Sequence, residues 1–246
     1  MCNTVSITNS LGKEVSTILN NPQNNHILAA LPKAEYQRLS NCLEPVELSL
    51  DMVLLNPNQK SESFYFPTQG VVSLMSVMDS GLTTEIGLIG QEGMVGTLPF
   101  LGKGLSNSQS IVQAKGSAMR INLEALQAEY DQDKMLQNLL LRYALKLFNQ
   151  VSQCAACNNH HTVKQRIARW LLMLDDRSDQ ETLFMTHQLL SRMLGVRRTG
   201  VTEVAKHIKR QGIIDYHRGE IKILDRPALE TIACGCYQLL KDWSII

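Results

Sequence analysis

Between Leu123 and His161 the chain contains neither glycine nor proline. No other feature limits its folding as strongly, because an uninterrupted stretch of 39 residues without a backbone breaker reads as a long helix. Within it Leu136, Leu140, Tyr143, Leu147, Gln150, Cys154, Cys157 and His161 alternate spacings of four and three. That is the seam of a two-stranded coiled coil. A break is expected near Asp131–Asp133. A long helix with its own seam, set between two compact units, predicts a homodimer; the other reading of the stripe is packing against the chain's own sheet.

The two flanks differ in texture. Residues 1–25 read as a polar, loose arm without the basic start and apolar block of a signal peptide. Residues 27–43 read as one short helix, with Leu28, Leu31, Leu39 and Leu43 on one face. Nine of the 15 glycines then fall between positions 70 and 116, separating short apolar or alternating runs at 52–55, 64–66, 71–78, 84–88, 110–114 and 118–121. Short strands with frequent turn signals predict an antiparallel jelly roll over residues 26–122. After the long helix at 123–161, residues 162–246 carry 14 Lys and Arg against 10 Asp and Glu, whereas the first 161 residues carry 10 against 13. The net charge of +1 hides this basic end segment, a layout suited to a nucleic-acid partner.

That end segment has an ordered pattern. A helix at 163–174 and a strand at 182–185 lead to Thr186, which can cap a helix over 188–194 that Gly195 ends. A second helix over 197–211 ends at Gly212, and strands at 213–216 and 220–224 are joined through His217-Arg218-Gly219. Asp225 and Pro227 open a last helix, running to Asp242. Helix, glycine turn, helix and basic hairpin make a winged helix-turn-helix. The second helix shows a polar face of Arg197, Arg198, Thr199, Thr202, Glu203 and Lys206, suited to the major groove, where arginine can bond guanine O6 and N7 together. The fold class expected is therefore α+β: an N-terminal antiparallel roll, a long dimerisation helix and a C-terminal winged helix.

Over residues 25–242 the chain resembles the Crp/Fnr family of bacterial transcription regulators. The resemblance rests on EGMVG at 92–96, on the long helix and, most specifically, on MTHQLLSRMLGVRRTGVTEVAKHIKRQGII at 185–214. It implies a sensor domain of the cyclic-nucleotide-binding type, a dimer, a pseudo-palindromic double-stranded DNA site and, as a possible partner, RNA polymerase. It places Arg198, Thr199 and Glu203 at base-reading positions, and Thr186, His187, Gln188, Arg197, His217 and Arg218 near phosphates. The chain departs from the best-known readers, which carry glutamate and arginine where Thr199 and Glu203 stand, so its operator should differ. Arg197 stands where a Ser or Thr often caps the recognition helix; it caps poorly but can bind phosphate.

The effector site departs further. Cyclic-nucleotide binders of the family hold the ribose and phosphate with a Gly-Glu-x-Gly turn and an Arg-Ser/Thr pair about ten residues later. Here the turn reads Gly93-Met94-Val95-Gly96, and the later pair falls near Ser108-Gln109, with no arginine between Lys103 and Lys115. A cyclic phosphate would lose its bidentate cation, so no tight cAMP or cGMP binding is expected.

Cysteine offers a second class of function. Positions 154, 157 and 161 share a helical face, so Cys154, Cys157 and an imidazole could converge on zinc or an iron–sulfur cluster. Packing of small side chains in the seam is the reading preferred for these, Cys234 and Cys236 are assigned no metal or redox role either, and neither a metal nor a cofactor is expected. The alternative function is a ligand-, redox- or metal-sensing module using Cys154/Cys157 or the apolar barrel, with the winged helix docking a protein. Six cysteines are too few for a disulfide scaffold, which points to the cytoplasm. No apolar run is long enough to span a membrane. No GxxxxGK[ST], GxSxG, HExxH or helix-opening GxGxxG is present, so no enzyme class is indicated.

Overall fold

A computed structural model describes residues 21–178 and 180–242. Most of the arm expected over 1–25 lies outside them. Its end, however, is anchored. Pro22–Asn24 form a single 3₁₀ turn, and the buried Asn25 side chain caps the next helix by accepting from the Ile27 and Leu28 amides. The Asn25 amide group donates to Pro67 O and Gly93 O.

The helix expected over 27–43 is two helices, α1 (His26–Ala29) and α2 (Lys33–Ser40). Pro32, which has no amide to donate, stands at the start of α2 and separates them. Strands β1 (Glu44–Leu48), β2 (Val53–Leu55), β3 (Ser63–Val77) and β4 (Thr83–Ile89), helix α3 (Thr97–Gly102) and strand β5 (Ser108–Asn122) complete the roll. The sheet order is β1-β5-β3-β4, with β2 also paired to β5, and every pairing is antiparallel. Four of the expected short strands merge into two long ones, because Gly70 and Gly116 are not turns. They face each other where β3 and β5 cross. A Cβ on Gly116 would lie 2.3 Å from Gln69 O, and one on Gly70, whose φ is +86°, would lie 2.6 Å from Ala114 O. The register slips at this point, so the strands bend without separating.

The long helical stretch breaks as its aspartates predict. Helix α4 (Leu123–Gln132) ends at Asp133, whose carboxylate accepts from the Met135 and Leu136 amides and starts α5 (Lys134–His160). The stripe expected to form a dimer seam does something else. Leu136, Leu140, Tyr143 and Leu147 are buried against the chain's own roll, in one cluster with Phe64, Phe66, Met94 and Ile121. The most apolar face of a helix beside a sheet fills the nearer core. Cys154 and Cys157 continue that stripe and are buried too.

Helix α6 (Val163–Asp175), capped by Thr162 and Gln165 together, leads to β6 (Leu183–Phe184), α7 (His187–Leu194), α8 (Arg198–Arg210), β7 (Ile214–His217) and β8 (Glu220–Ile223). The expected last helix is broken into α9 (Arg226–Ile232) and α10 (Cys236–Asp242) by an extended Ala233 and the following Cys234-Gly235. The two halves of the chain share a core: Val71, Met75, Leu88 and Ala114 of the roll form one cluster with Trp170, Leu171, Leu190 and Leu194. Among the described residues no helix is long and apolar enough to cross a membrane.

Candidate nucleic-acid interface

Gly195 makes the turn between α7 and α8 in the left-handed region, with φ of 61°. Leu190, Leu194, Val201, Ala205 and Ile208 are buried and hold the two helices at a fixed angle. The opposite face of α8 is open: Arg198, Thr199, Glu203 and Lys206 are exposed, and Thr202 is half-buried. Lys206 lies 3.5 Å from Glu203, a loose exposed contact that leaves both ends mobile for other partners. Arg197 starts α8 without a side-chain cap, as its chemistry predicts.

The wing is a tight hairpin. Arg218 and Gly219 form its two-residue tip with φ of 47° and 88°, the primed geometry that matches the strand twist. His217 and Arg218 are exposed there. Lys209 braces the wing root by donating to Tyr216 O at 2.8 Å and pairing with Asp215 at 2.7 Å.

Two of the residues expected near phosphate also have work inside the domain. The Thr186 hydroxyl caps α7 by accepting from the Leu189 amide at 3.0 Å. His187 is a strut. Its ring stacks on Tyr216 at 4.3 Å between centroids, and its Nδ1 lies 3.1 Å from Thr202 Oγ1. Burial, and then the charges of Arg198 and Lys206, hold its pKa below the ordinary histidine value. Tyr216 was missed in the sequence; an aromatic two residues before the wing tip gave no sign that it would stack on α7. Gln188 is exposed and, with Thr186 and Arg192, borders a cleft of about 390 Å³ whose far wall includes Asp51 and Thr83 of the roll.

The two stretches expected to hold an effector lie beside different parts of β3. Val95 pairs with Tyr65 at one end of β3, whereas Ser108 and Gln109 pair with Ser76 and Met75 at the other, ten residues along the strand. Met94 and Val95 point into the core. The Tyr143 ring lies over Gly93, where a Cβ would come within 2.1 Å of it. Beside it, Arg177 Nε donates to Glu92 at 2.8 Å. Burial works to raise the Glu92 pKa, but the charges of Arg177 and Lys146 outweigh it and hold this carboxyl below the usual range. Between Glu92, Tyr143, Lys146 and Arg177 only about 10 Å³ of space remains. A more open groove of about 580 Å³ lies at α3 and α4, lined by Phe64, Phe100, Leu105 and Leu123 with Lys60 and Lys103.

The cysteines are also redistributed. Cys154 lies 3.5 Å from Arg169 Nη1, while Cys157 faces Cys234 at 3.5 Å between sulfurs. Cys154 and Cys157, the pair of the alternative reading, therefore do not share one site.

Comparison with known proteins agrees with this architecture. Residues 165–232 match the model of the Crp-like helix-turn-helix domain, and residues 45–133 match that of the cyclic nucleotide-binding domain. Among solved structures the chain is similar to a transcriptional regulator of the Crp/Fnr family from Eubacterium rectale, with 18% identity, a TM-score of 0.67, and coverage of 87% of this chain and 98% of that one. It is similar to FixK2 from Bradyrhizobium japonicum, with 16% identity, a TM-score of 0.66, and coverage of 78% and 98%. It also resembles the c-di-GMP responsive regulator CLP of Xanthomonas campestris, with 16% identity, a TM-score of 0.63, and coverage of 78% and 99%. No curated protein sequence matches the chain.

Proposed function

Because the chain belongs to the Crp/Fnr family of transcription regulators, with both the helix-turn-helix and the cyclic-nucleotide-binding domain, we propose that it works in the cytoplasm as a dimer that reads a two-fold symmetric DNA site. One observation carries the reading: the exposed face of α8 presents Arg198, Thr199, Glu203 and Lys206 side by side, flanked by the Arg218 wing tip. Arg198 reads a base edge, Thr199 and Glu203 set the neighbouring preference, and Arg197, Gln188 and Arg218 hold phosphates. Half-sites then lie about one helical turn apart.

The roll in this reading is a sensor whose nucleotide site is closed. A ligand of nucleotide size needs a pocket of roughly 300 Å³ or more. The turn at 93–96 is covered by Tyr143, and Arg177, a cation near it, is already matched by Glu92. Calorimetry with cAMP and with cGMP is expected to show no tight binding to either.

Selection of bound sequences from random duplex DNA tests the function. A symmetric motif is expected, with affinity that falls steeply as salt rises. Arg198→Ala is expected to cost about 1–3 kcal/mol on the selected site and to relax one position of the motif. An equal loss on all sequences would make Arg198 a phosphate contact, and no enrichment in the presence of cell extract would overturn the proposal.

A further inference from the structure

Where α5 ends and where α9 gives way to α10, four metal-binding side chains meet. Cys157 and His161 sit one turn apart at the end of α5, and the His161 amide donates to Cys157 O at 3.1 Å. Cys234 and Cys236 come from the linker that breaks the last helix. Their ligand atoms and those of Cys157 and His161 all lie within 4.8 Å of one another. Cys157 and Cys234 sulfurs are 3.5 Å apart, and Cys236 Sγ is 3.6 Å from His161 Nδ1.

These separations have a chemical meaning. A tetrahedral zinc ion with Zn–S near 2.3 Å and Zn–N near 2.1 Å holds neighbouring donor atoms about 3.6–3.8 Å apart. The quartet matches that size. An iron–sulfur cluster would have to spread its thiolates over different irons, further apart than this quartet allows. We propose that Cys157, His161, Cys234 and Cys236 bind one zinc ion, in a closed site of three sulfurs and one nitrogen. This departs from the expectation, drawn from sequence, of no metal.

The surroundings favour an anionic centre. Three thiolates on a divalent cation carry a net charge of about minus one. Arg166 and Arg169 are buried beside them, and the Nε of each lacks a hydrogen-bond partner. Buried guanidinium groups need counter-charge, and the thiolates supply it. Gln153 Nε2 lies 3.0 Å from Cys236 Sγ, placed to donate to a bound thiolate as outer partners of metal ligands do. Four protein ligands leave no open position, so the ion is structural. It ties the end of α5 to the α9–α10 junction across Thr162, where α6 begins, and so fixes how the winged helix is held on the long helix.

The test reads metal, independently of DNA binding. The full chain, purified without chelators, is expected to contain about one zinc per chain by elemental analysis. Cys157→Ser and Cys234→Ser are expected to lose it, and Cys154→Ser to keep it. Stripped wild-type protein refilled with cobalt(II) is expected to show the intense visible bands and thiolate charge transfer of a tetrahedral site, which keeps the proposal testable if a serine variant fails to fold. The proposal is overturned by a metal-free protein whose Cys157 and Cys234 form a disulfide, by iron with inorganic sulfide in place of zinc, by the weak spectrum of octahedral cobalt, or by equal loss of zinc in Cys154→Ser.

Discussion

Glu85 shows what a single residue decides in this molecule. It stands in β4, buried, and accepts from Ser73 Oγ at 2.7 Å and from Trp170 Nε1 at 2.7 Å. Burial pushes its pKa up to about 7, against the opposing pull of those hydrogen bonds and of Arg169 and Arg177. The sign of the consequence follows from linkage. Between about pH 4.5 and 7 the folded chain keeps a proton that the unfolded chain releases, so stability falls as pH rises through that window. The whole effect is on the order of 3 kcal/mol. Glu85→Gln keeps an acceptor for Trp170 and removes the charge. Chemical denaturation from pH 5 to 8 is expected to show a decline in the wild type that the variant lacks; parallel curves would mean that Glu85 ionises normally.

At the scale of the element, α5 is a helix with two faces. One is spent on the roll. On the other, Leu141, Leu145 and Phe148 are 54%, 61% and 62% exposed, and Asn138, Ser152, Ala155 and Asn159 extend the same alternation of three and four. This outward stripe is the surface the proposed dimer needs. Leu145→Glu with Phe148→Glu is expected to yield a folded monomer in sedimentation, whereas Leu140→Glu, which puts a charge in the core, is expected to unfold the chain. A dimer that survives the double change would place the interface elsewhere. The same helix shows what a sequence discloses. Its length, its break at Asp133 and the existence of a seam were legible, because caps and periodicity are local. Which of two seams faces inward was not, since both have the same spacing and only the position of the roll separates them. Likewise the order helix, turn, helix, wing could be read from residues 186–224, while the pairing of Cys157 with Cys234 could not. The break that presents Cys234 and Cys236 lacks a proline, and the partners are 77 positions apart.

Across the whole molecule the two halves are bound by more than the long helix. Trp170 reaches Glu85, Arg177 reaches Glu92, and the turn at Gly195 presses on Thr84, where a Cβ would lie 2.8 Å from its hydroxyl. Calorimetry of the full chain is therefore expected to show one thermal transition, and two resolved peaks would contradict the shared core. Arg177→Ala, which strands the Glu92 carboxylate in a buried place, is expected to cost about 3–5 kcal/mol, and Arg177→Leu combined with Glu92→Gln to cost less than that.

That shared core also limits how the two halves can be recombined. Trp170 belongs to the DNA-reading half by sequence, but its hydrogen bond and part of its apolar cluster belong to the roll. Grafting residues 162–242 onto a foreign sensor would leave an indole and a leucine-rich face wet, and the roll left behind would keep a glutamate held by Ser73 but stripped of its indole donor. A chimera built at the helix junction inherits neither function intact unless the tryptophan travels with its glutamate, so for this chain the unit of exchange is the pair of domains.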